Sequence, residues 1–180
     1  MGREYDSISE EHRRWIGEQH MFFVATAPPG GGHVNVSPKG YDTFRVLDDR
    51  TVAYLDLTGS GIETIAHLRE NTRLTIMFCA FEGRPRILRL YGRGSAVLHD
   101  DPGFAHAAQP WSPLPPGARS VVRLDIDIVR SSCGYSIPFM DYAGERETLS
   151  EWAERKGPDG IERYWDDRNS VSIDGLRGLR

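Results

Sequence analysis

Short apolar runs with a two-residue period cover the first part of the chain and indicate β-strands. Residues 21–27, MFFVATA, are rich in aromatic and branched side chains and end at the turn-forming segment 28–32, PPGGG. The next segment, HVNVS, places Val34 and Val36 on one face of an extended chain. Because two apolar runs separated by Pro and Gly are typical of a β-hairpin, the pattern predicts a two-stranded ribbon here.

Further strands are predicted along the chain up to residue 132. Residues 44–47 and 51–57 flank a charged turn and form a second predicted hairpin. RLTIMFCAF and PRILRLYGRGSAVLH follow as two long strands, with a bend or bulge expected at Gly92 and Gly94. SVVRLDIDIVRSS alternates and predicts a last strand, whose core-facing residues would be Val122, Leu124, Ile126 and Ile128.

Three segments have helical spacing instead. Ser7 and Glu10 form a capping-box pattern ahead of a predicted amphipathic helix over residues 8–19. IETIAHLREN predicts a second helix of about ten residues that ends at Asn71. Beyond Tyr142 the sequence becomes charged, and TLSEWAERKG and GIERYWDD indicate helical pieces.

These elements predict a mainly β protein with accessory helices. Six or seven strands joined by hairpins, with one helix crossing between strands, favour an antiparallel split β-barrel over a doubly wound sheet. We expect one domain over residues 1–180, with a barrel core at about 15–140 and a helical extension at about 141–180.

Composition and charge exclude several classes of function. The chain has 22 Lys and Arg against 26 Asp and Glu, a formal charge of −4, so no basic field would draw it to nucleic acid or an anionic membrane. Its charged start and lack of a long apolar stretch predict a cytoplasmic protein. The six histidines and two cysteines have no metal-ligand spacing, and no nucleophile motif or P-loop occurs.

The glycine-containing turn before the second helix is a candidate anion site. Backbone N–H groups at a helix start bind anions when glycines allow close approach, as in segment 58–61, TGSG. Lys39, Arg86 and Arg89 would supply positive charge. Two alternatives stay open: Ser60 and Glu63 form a capping box that needs no ligand, and the arginines lie on an outward strand face. The dinucleotide-binding fingerprint fits poorly because Thr64 stands at its third glycine.

Several motifs resemble a known family. VNVSPKG, YLDLTGSGIETIAHLRENTRLTIMFCAF and RILRLYGRG are similar to the FMN-binding split barrels of the pyridoxamine 5'-phosphate oxidase-related group. SSCGYSIPFMDYAGERETL, WAERKG and NSVSIDGLRGL resemble the tail of one uncharacterised branch of that group. Together they cover the chain from about residue 15 to its end.

The resemblance implies a homodimer with FMN sites at the interface. Phosphate and ribityl contacts would lie at Ser37, Lys39, Thr58, Ser60 and Arg89, with the isoalloxazine against residues 35–38 and Leu57. The implied cofactor-binding set is Asn35, Ser37, Pro38, Lys39, Leu57, Thr58, Gly59, Ser60, Gly61 and Arg89, and the wall from the partner chain would be Gln109, Trp111 and Tyr135. For Trp111 the alternative is a surface aromatic residue.

The chain departs from the true oxidases at one part of this site. Gly61 and Ile62 stand where those enzymes carry an Arg-Lys pair. The change removes charged hydrogen bonds to the phosphate worth about 1.5–3 kcal/mol each. Lys39 and Arg86 are the residues that could replace them. The residues that hold pyridoxal phosphate in the true oxidases have no clear match either, so vitamin B6 oxidation is not implied.

The resemblance therefore predicts an FMN-dependent oxidoreductase that exchanges hydride with an unidentified small molecule at the flavin N5. No catalytic acid or base is indicated by the sequence. The alternatives are a deazaflavin-dependent reductase and a split barrel that has lost its cofactor and serves as a binding module.

Overall fold

The computed structural model describes residues 2–179, and within them eight strands form one antiparallel sheet. The strands are β1 Arg3–Tyr5, β2 Phe22–Thr26, β3 Asn35–Lys39, β4 Phe44–Val46, β5 Thr51–Leu57, β6 Arg73–Cys79, β7 Ile87–Leu98 and β8 Ala118–Ser132. The helices are α1 Glu10–Gly17, α2 Glu63–Glu70, α3 Phe104–Ala107 and α4 Thr148–Arg168, with a 3₁₀ turn at Gln109–Trp111.

The sheet curls into a half-barrel whose two ends face each other across a gap. The strand order is β3-β2-β6-β7-β8-β5-β4, and β1 pairs with β8 beside this path. Side chains from the concave face form the main core, including Phe22, Tyr54, Phe78 and Leu90. The predicted split barrel is therefore confirmed, with β3 and β4 as its edges.

A β-bulge changes which side chains of β8 face the core. Tyr91 pairs with Ile128 but the next residue, Gly92, pairs with Ile126, so the pairing skips one residue of β8. Val122, Leu124 and Ile126 are buried as predicted, whereas Ile128 is 43% exposed. The prediction for Ile128 is wrong because the extra residue reverses the alternation.

Helix α1 is capped two residues later than the sequence suggested. The Ser9 side chain, not that of Ser7, accepts a hydrogen bond from the backbone N–H of His12, and the His12 ring accepts one from the N–H of Ser9. A histidine thus replaces the expected glutamate in the capping box. The His12 ring is buried and packs edge-on to Tyr5 at 4.7 Å between centroids.

The C-terminal extension folds back over α2. Helix α4 bends at Gly157, where φ is +64° and Pro158 begins the second half, in agreement with the two helical pieces predicted. Trp165 packs with Ile62 and Leu179 in a second core. No helix within residues 2–179 has both the length and the apolar character needed to cross a membrane.

The bulge gives a prediction about Gly92. An alanine Cβ there would lie 2.0 Å from the backbone oxygen of Asp125, so Gly92→Ala must displace the β7–β8 ladder. We expect a loss of about 1–3 kcal/mol in the free energy of urea unfolding. Gly30→Ala, with nothing within 4 Å of its Cβ, is the control and should change stability by less than about 0.5 kcal/mol. Equal losses in the two variants would contradict the bulge.

Candidate functional site

The inner face of β3 carries a row of polar side chains along the gap. Asn35, Ser37 and Lys39 are partly buried, while Val36 and Pro38 between them are exposed. Because β3 is an edge strand that pairs with β2, its inward side chains point across the gap toward β5 and α2. Three predicted site residues thus share one face.

Lys39 crosses the gap to a buried carboxylate. Its Nζ lies 2.8 Å from Oδ1 of Asp56, and Nε of Arg119 lies 2.6 Å from Oδ2 of the same side chain. Asp56 and Arg119 are buried at 2% and 4% exposure. One carboxylate is therefore shared by two cations, which leaves one positive charge in excess at the gap.

The two cations determine the ionisation of Asp56. Burial alone would raise the pKa of this carboxyl, but Arg119 and then Lys39 lower it, and the net pKa lies well below the usual range. Asp56 is therefore ionised across the physiological pH range. Lys39 uses one of its three N–H donors on Asp56 and keeps a fifth of its side chain exposed.

Asn35 connects the other end of the row to the first turn of α2. Its Nδ2 donates to Oγ1 of Thr64 at 3.1 Å, and its Oδ1 accepts from the Ser37 hydroxyl at 3.1 Å. The inner face of β3 thus leads from the Asp56 cluster to the helix start. A ligand lying in the gap would meet amide, hydroxyl and ammonium groups in that order from α2.

The Thr58-Gly59-Ser60 turn is held by the C-terminal extension. The Thr58 hydroxyl donates to Gly117 O and accepts from Nε1 of Trp165 at 2.8 Å. Nδ2 of Asn169 donates to the carbonyl oxygens of Gly59 and Ser60 at 3.1 and 3.4 Å. These contacts fix the carbonyl side of the turn.

The amide side of the same turn is less occupied. Within residues 2–179 the backbone N–H groups of Ser60 and Gly61 make no hydrogen bond. The alternative capping box is not formed, since Ile62 is the N-cap and no side chain bonds it. Oε1 of Glu63 accepts from the N–H of Ile173 in the tail, and Oε2 lies beside Gly61, where a Cβ would come within 2.6 Å of it. The donors of the turn are therefore free, with a carboxylate next to them.

Arg89 lies on the opposite face of the sheet from Lys39. Across neighbouring strands Arg89 is opposite Met77, Met77 is opposite Phe23, and Phe23 is opposite Pro38. Because residues that are opposite each other share a face, all four side chains lie on the same face of the sheet. Pro38 points away from the gap, so Arg89 does too, and its Nη1 bonds the Ser132 hydroxyl at 3.1 Å. The structure does not bring Arg89 and Lys39 to one anion.

Arg86 is likewise engaged away from the gap. Its guanidinium pairs with Glu11 at 2.9 Å and lies 5.1 Å from the Trp15 ring. Both partners belong to α1, so Arg86 cannot replace the missing Arg-Lys pair. Gly61 and Ile62, which stand in place of that pair, also supply no charge, and the Ile62 side chain is buried.

The three residues predicted as a partner wall differ in exposure. Trp111 is 6% exposed and packs with Leu55, Ala108 and Val121, so the surface-aromatic alternative is wrong. Its ring lines a cavity of about 370 Å³ together with Leu57 of the same chain. Gln109 is exposed in the 3₁₀ turn, and Tyr135 is 82% exposed, which leaves its ring free for a partner.

Sequence reasoning missed Asp56, Arg119 and Asn169. A signal for Asp56 existed, because it shares the inward face of β5 with Val52 and Tyr54, and a buried acid needs a cation. Arg119 is 63 residues away and Asn169 is farther, beyond α4. No local pattern could have paired them.

The shared carboxylate gives a stability prediction. Asp56→Asn leaves Lys39 and Arg119 without their anion and should lower the unfolding free energy at pH 7 by about 3–5 kcal/mol. Because the folded-state pKa of Asp56 is lowered, its contribution is complete above the unfolded pKa and declines as pH falls below about 4. The difference in unfolding free energy between the wild type and Asp56→Asn should therefore become smaller as the pH falls below about 4.

Asp42→Asn is the matched control, since Asp42 pairs with Arg45 at 2.6 Å but is 89% exposed. The loss of unfolding free energy in Asp42→Asn should stay below about 1 kcal/mol. Urea unfolding at a series of pH values measures both variants. A cost for Asp56→Asn no larger than for Asp42→Asn would contradict the buried cluster.

Comparison with known proteins identifies the family. Residues 8–133 match the family described as pyridoxamine 5'-phosphate oxidase. The pyridoxamine 5'-phosphate oxidase family protein ustO of Aspergillus flavus is 43% identical over an alignment of 191 positions, which covers 97% of this chain and 77% of that protein.

Solved structures agree in fold. A single-residue variant of HupZ of Group A Streptococcus superposes with a TM-score of 0.55 at 25% identity over 68% of this chain and 98% of that one. A Lactobacillus delbrueckii protein named after pyridoxamine 5'-phosphate oxidase superposes with a TM-score of 0.52 at 18% identity, over 69% of this chain and 94% of that one. A likeness at this identity shows the fold alone. The profile match and the fungal relative together show that this chain belongs to the pyridoxamine 5'-phosphate oxidase family.

Proposed function

We propose that the chain is a flavoprotein that binds FMN in the gap between β3 and the β5–α2 turn and acts as an oxidoreductase on a small molecule. The observation that carries this is the inward row of Asn35, Ser37 and Lys39, which ends at a helix start with free N–H groups. Family membership supports a flavin as the ligand.

The residues present fit a phosphate-bearing cofactor. The N–H groups of Ser60 and Gly61 and the Ser37 hydroxyl would hold the phosphate and ribityl oxygens. Within residues 2–179 the Lys39 ammonium bonds Asp56 alone, so it would supply the positive charge through its two other N–H groups. The cluster of Lys39, Asp56 and Arg119 is one charge positive, and its attraction for an anion would offset the repulsion from the Glu63 carboxylate beside Gly61.

The protein would orient the flavin more than react with it. When bound, FMN supplies hydride exchange at its N5 atom. The buried Asp56 carboxylate would stay ionised and hold the Lys39 ammonium in one position beside the cofactor. The Trp165 and Asn169 side chains would keep the turn in the geometry that presents its N–H groups.

We also propose that the functional unit is a homodimer whose partner chain completes each site. Several large apolar side chains are exposed in the single chain, among them Val36 on β3 and Tyr135, Phe139 and Met140 in the segment after β8. Exposed apolar groups of this kind are typical of protein interfaces. Tyr135 is the candidate from the predicted partner wall with a freely exposed ring.

One observation favours a second candidate, a binding module without cofactor. The C-terminal extension already satisfies the carbonyl groups of the turn through Asn169, so the fold needs no ligand there. A colourless protein that fails to bind added FMN at micromolar concentration would establish this alternative. A deazaflavin would instead give a different mass in the released cofactor.

Lys39→Met should weaken FMN binding. The substitution keeps the aliphatic stem but removes the charged hydrogen bonds, which corresponds to a dissociation constant raised about 10- to 100-fold. Titration of the flavin-free protein with FMN, followed by quenching of flavin fluorescence, measures the constant. Asp56 keeps Arg119 as its partner, so the variant should remain folded.

Arg89→Ala is the control for this experiment. Arg89 faces away from the gap and bonds Ser132 on the opposite face of the sheet, so its loss should change FMN affinity by less than about twofold. An equal loss of affinity in the Lys39 and Arg89 variants would contradict the placement of FMN in the gap. Unchanged affinity in Lys39→Met would contradict it as well.

A further inference from the structure

A cavity of about 370 Å³ beside Leu57 lies on the outer face of β5, the face opposite to Asp56 and the gap. The outward side chains of β5, Leu55 and Leu57, form its floor. Trp111 and the prolines of the following loop form one wall, and Leu149 at the start of α4 forms another. Its size lies at the low end of small-molecule sites, which suits a compact ligand.

The charged side chains of this cavity cancel each other. Within residues 2–179 its charged lining residues are Asp42 and Arg45, which form a two-pronged ion pair with distances of 2.6 and 2.9 Å. The remaining Arg45 donors bond backbone oxygens, including Pro110 O at 3.3 Å and Phe44 O at 2.8 Å. Among these lining residues no cation is left over for a phosphate.

The polar lining groups are mostly committed as donors. The hydroxyls of Tyr41, Thr43 and Ser150 each donate to a backbone carbonyl of their own chain. The surfaces left for a ligand are therefore mainly those of leucine, proline and indole side chains.

We infer that this cavity is a second binding site, separate from the gap, and that it takes an uncharged aromatic ring rather than a phosphorylated one. The inference does not depend on the proposed flavin function, because the selectivity follows from the lining alone. A phosphate dianion would lose its hydration and meet no free cation, while a flat ring would pack against proline, leucine and indole surfaces.

The matched probes 2-naphthol and 2-naphthyl phosphate test this selectivity. Calorimetric titration of the full chain should show 2-naphthol binding at least about tenfold more tightly than its phosphate ester, because burying an unpaired charge is costly. Asp42→Asn frees Arg45, so the ester should bind about tenfold more tightly to this variant while naphthol binding stays unchanged. Asp42 is 89% exposed, so the variant should fold.

Two tryptophan variants locate the binding. Ser150→Trp fills the cavity and should weaken naphthol binding by at least about tenfold through steric exclusion. Glu151→Trp, on the exposed neighbouring position, should leave binding unchanged. Equal effects of the two variants, no naphthol binding at millimolar concentration, or equal affinity for the ester in the wild type would each overturn the inference.

An FMN titration of the same preparation separates the two hypotheses. If naphthol binds as expected and FMN does not, the pocket is selective for uncharged rings but the flavin function fails. If FMN binds and naphthol does not, the flavin function stands and the pocket inference is overturned.

Discussion

A carboxylate with almost no access to water lies between two cations where the open sides of the half-barrel meet. Asp56 on β5 binds Lys39 of β3 and Arg119 of β8, so one side chain ties three strands together across the gap. Removing water from a charge is costly unless partners replace it, and here both carboxylate oxygens have a cation. The polarity of the gap, and the one positive charge left over, follow from this arrangement.

The C-terminal extension depends on the same cluster and acts on the same turn. Arg119 donates to Asn169 at 2.9 Å, and Asn169 in turn holds the carbonyls of Gly59 and Ser60. Since Trp165 also bonds Thr58, the second half of α4 is a structural part of the turn that precedes α2. This explains how the turn keeps its shape with Gly61 and Ile62 in place of charged residues.

Much of the fold could be predicted from local patterns, whereas the site depends on contacts between distant residues. The strand runs, the bulge at Gly92 and the end of α2 at Asn71 follow from periodicity and turn chemistry. The predicted alternation is wrong at Ile128, because one extra residue in the bulge reverses which side chains face the core. The predicted capping box at Ser60 does not form, because Glu63 accepts a hydrogen bond from Ile173, which is 110 residues away in the tail. Arg89 lies on the face of the sheet opposite to Lys39, which no local pattern could show, because pairing register decides the face and register is a property of the whole sheet.

Native mass spectrometry of the full chain, purified without added cofactor, tests the central claim most directly. Binding of FMN in the gap of a homodimer predicts a species with the mass of two chains and two FMN molecules, which loses the flavin in the Lys39→Met variant. A protein that carries no flavin and takes up none when FMN is added would contradict the claim.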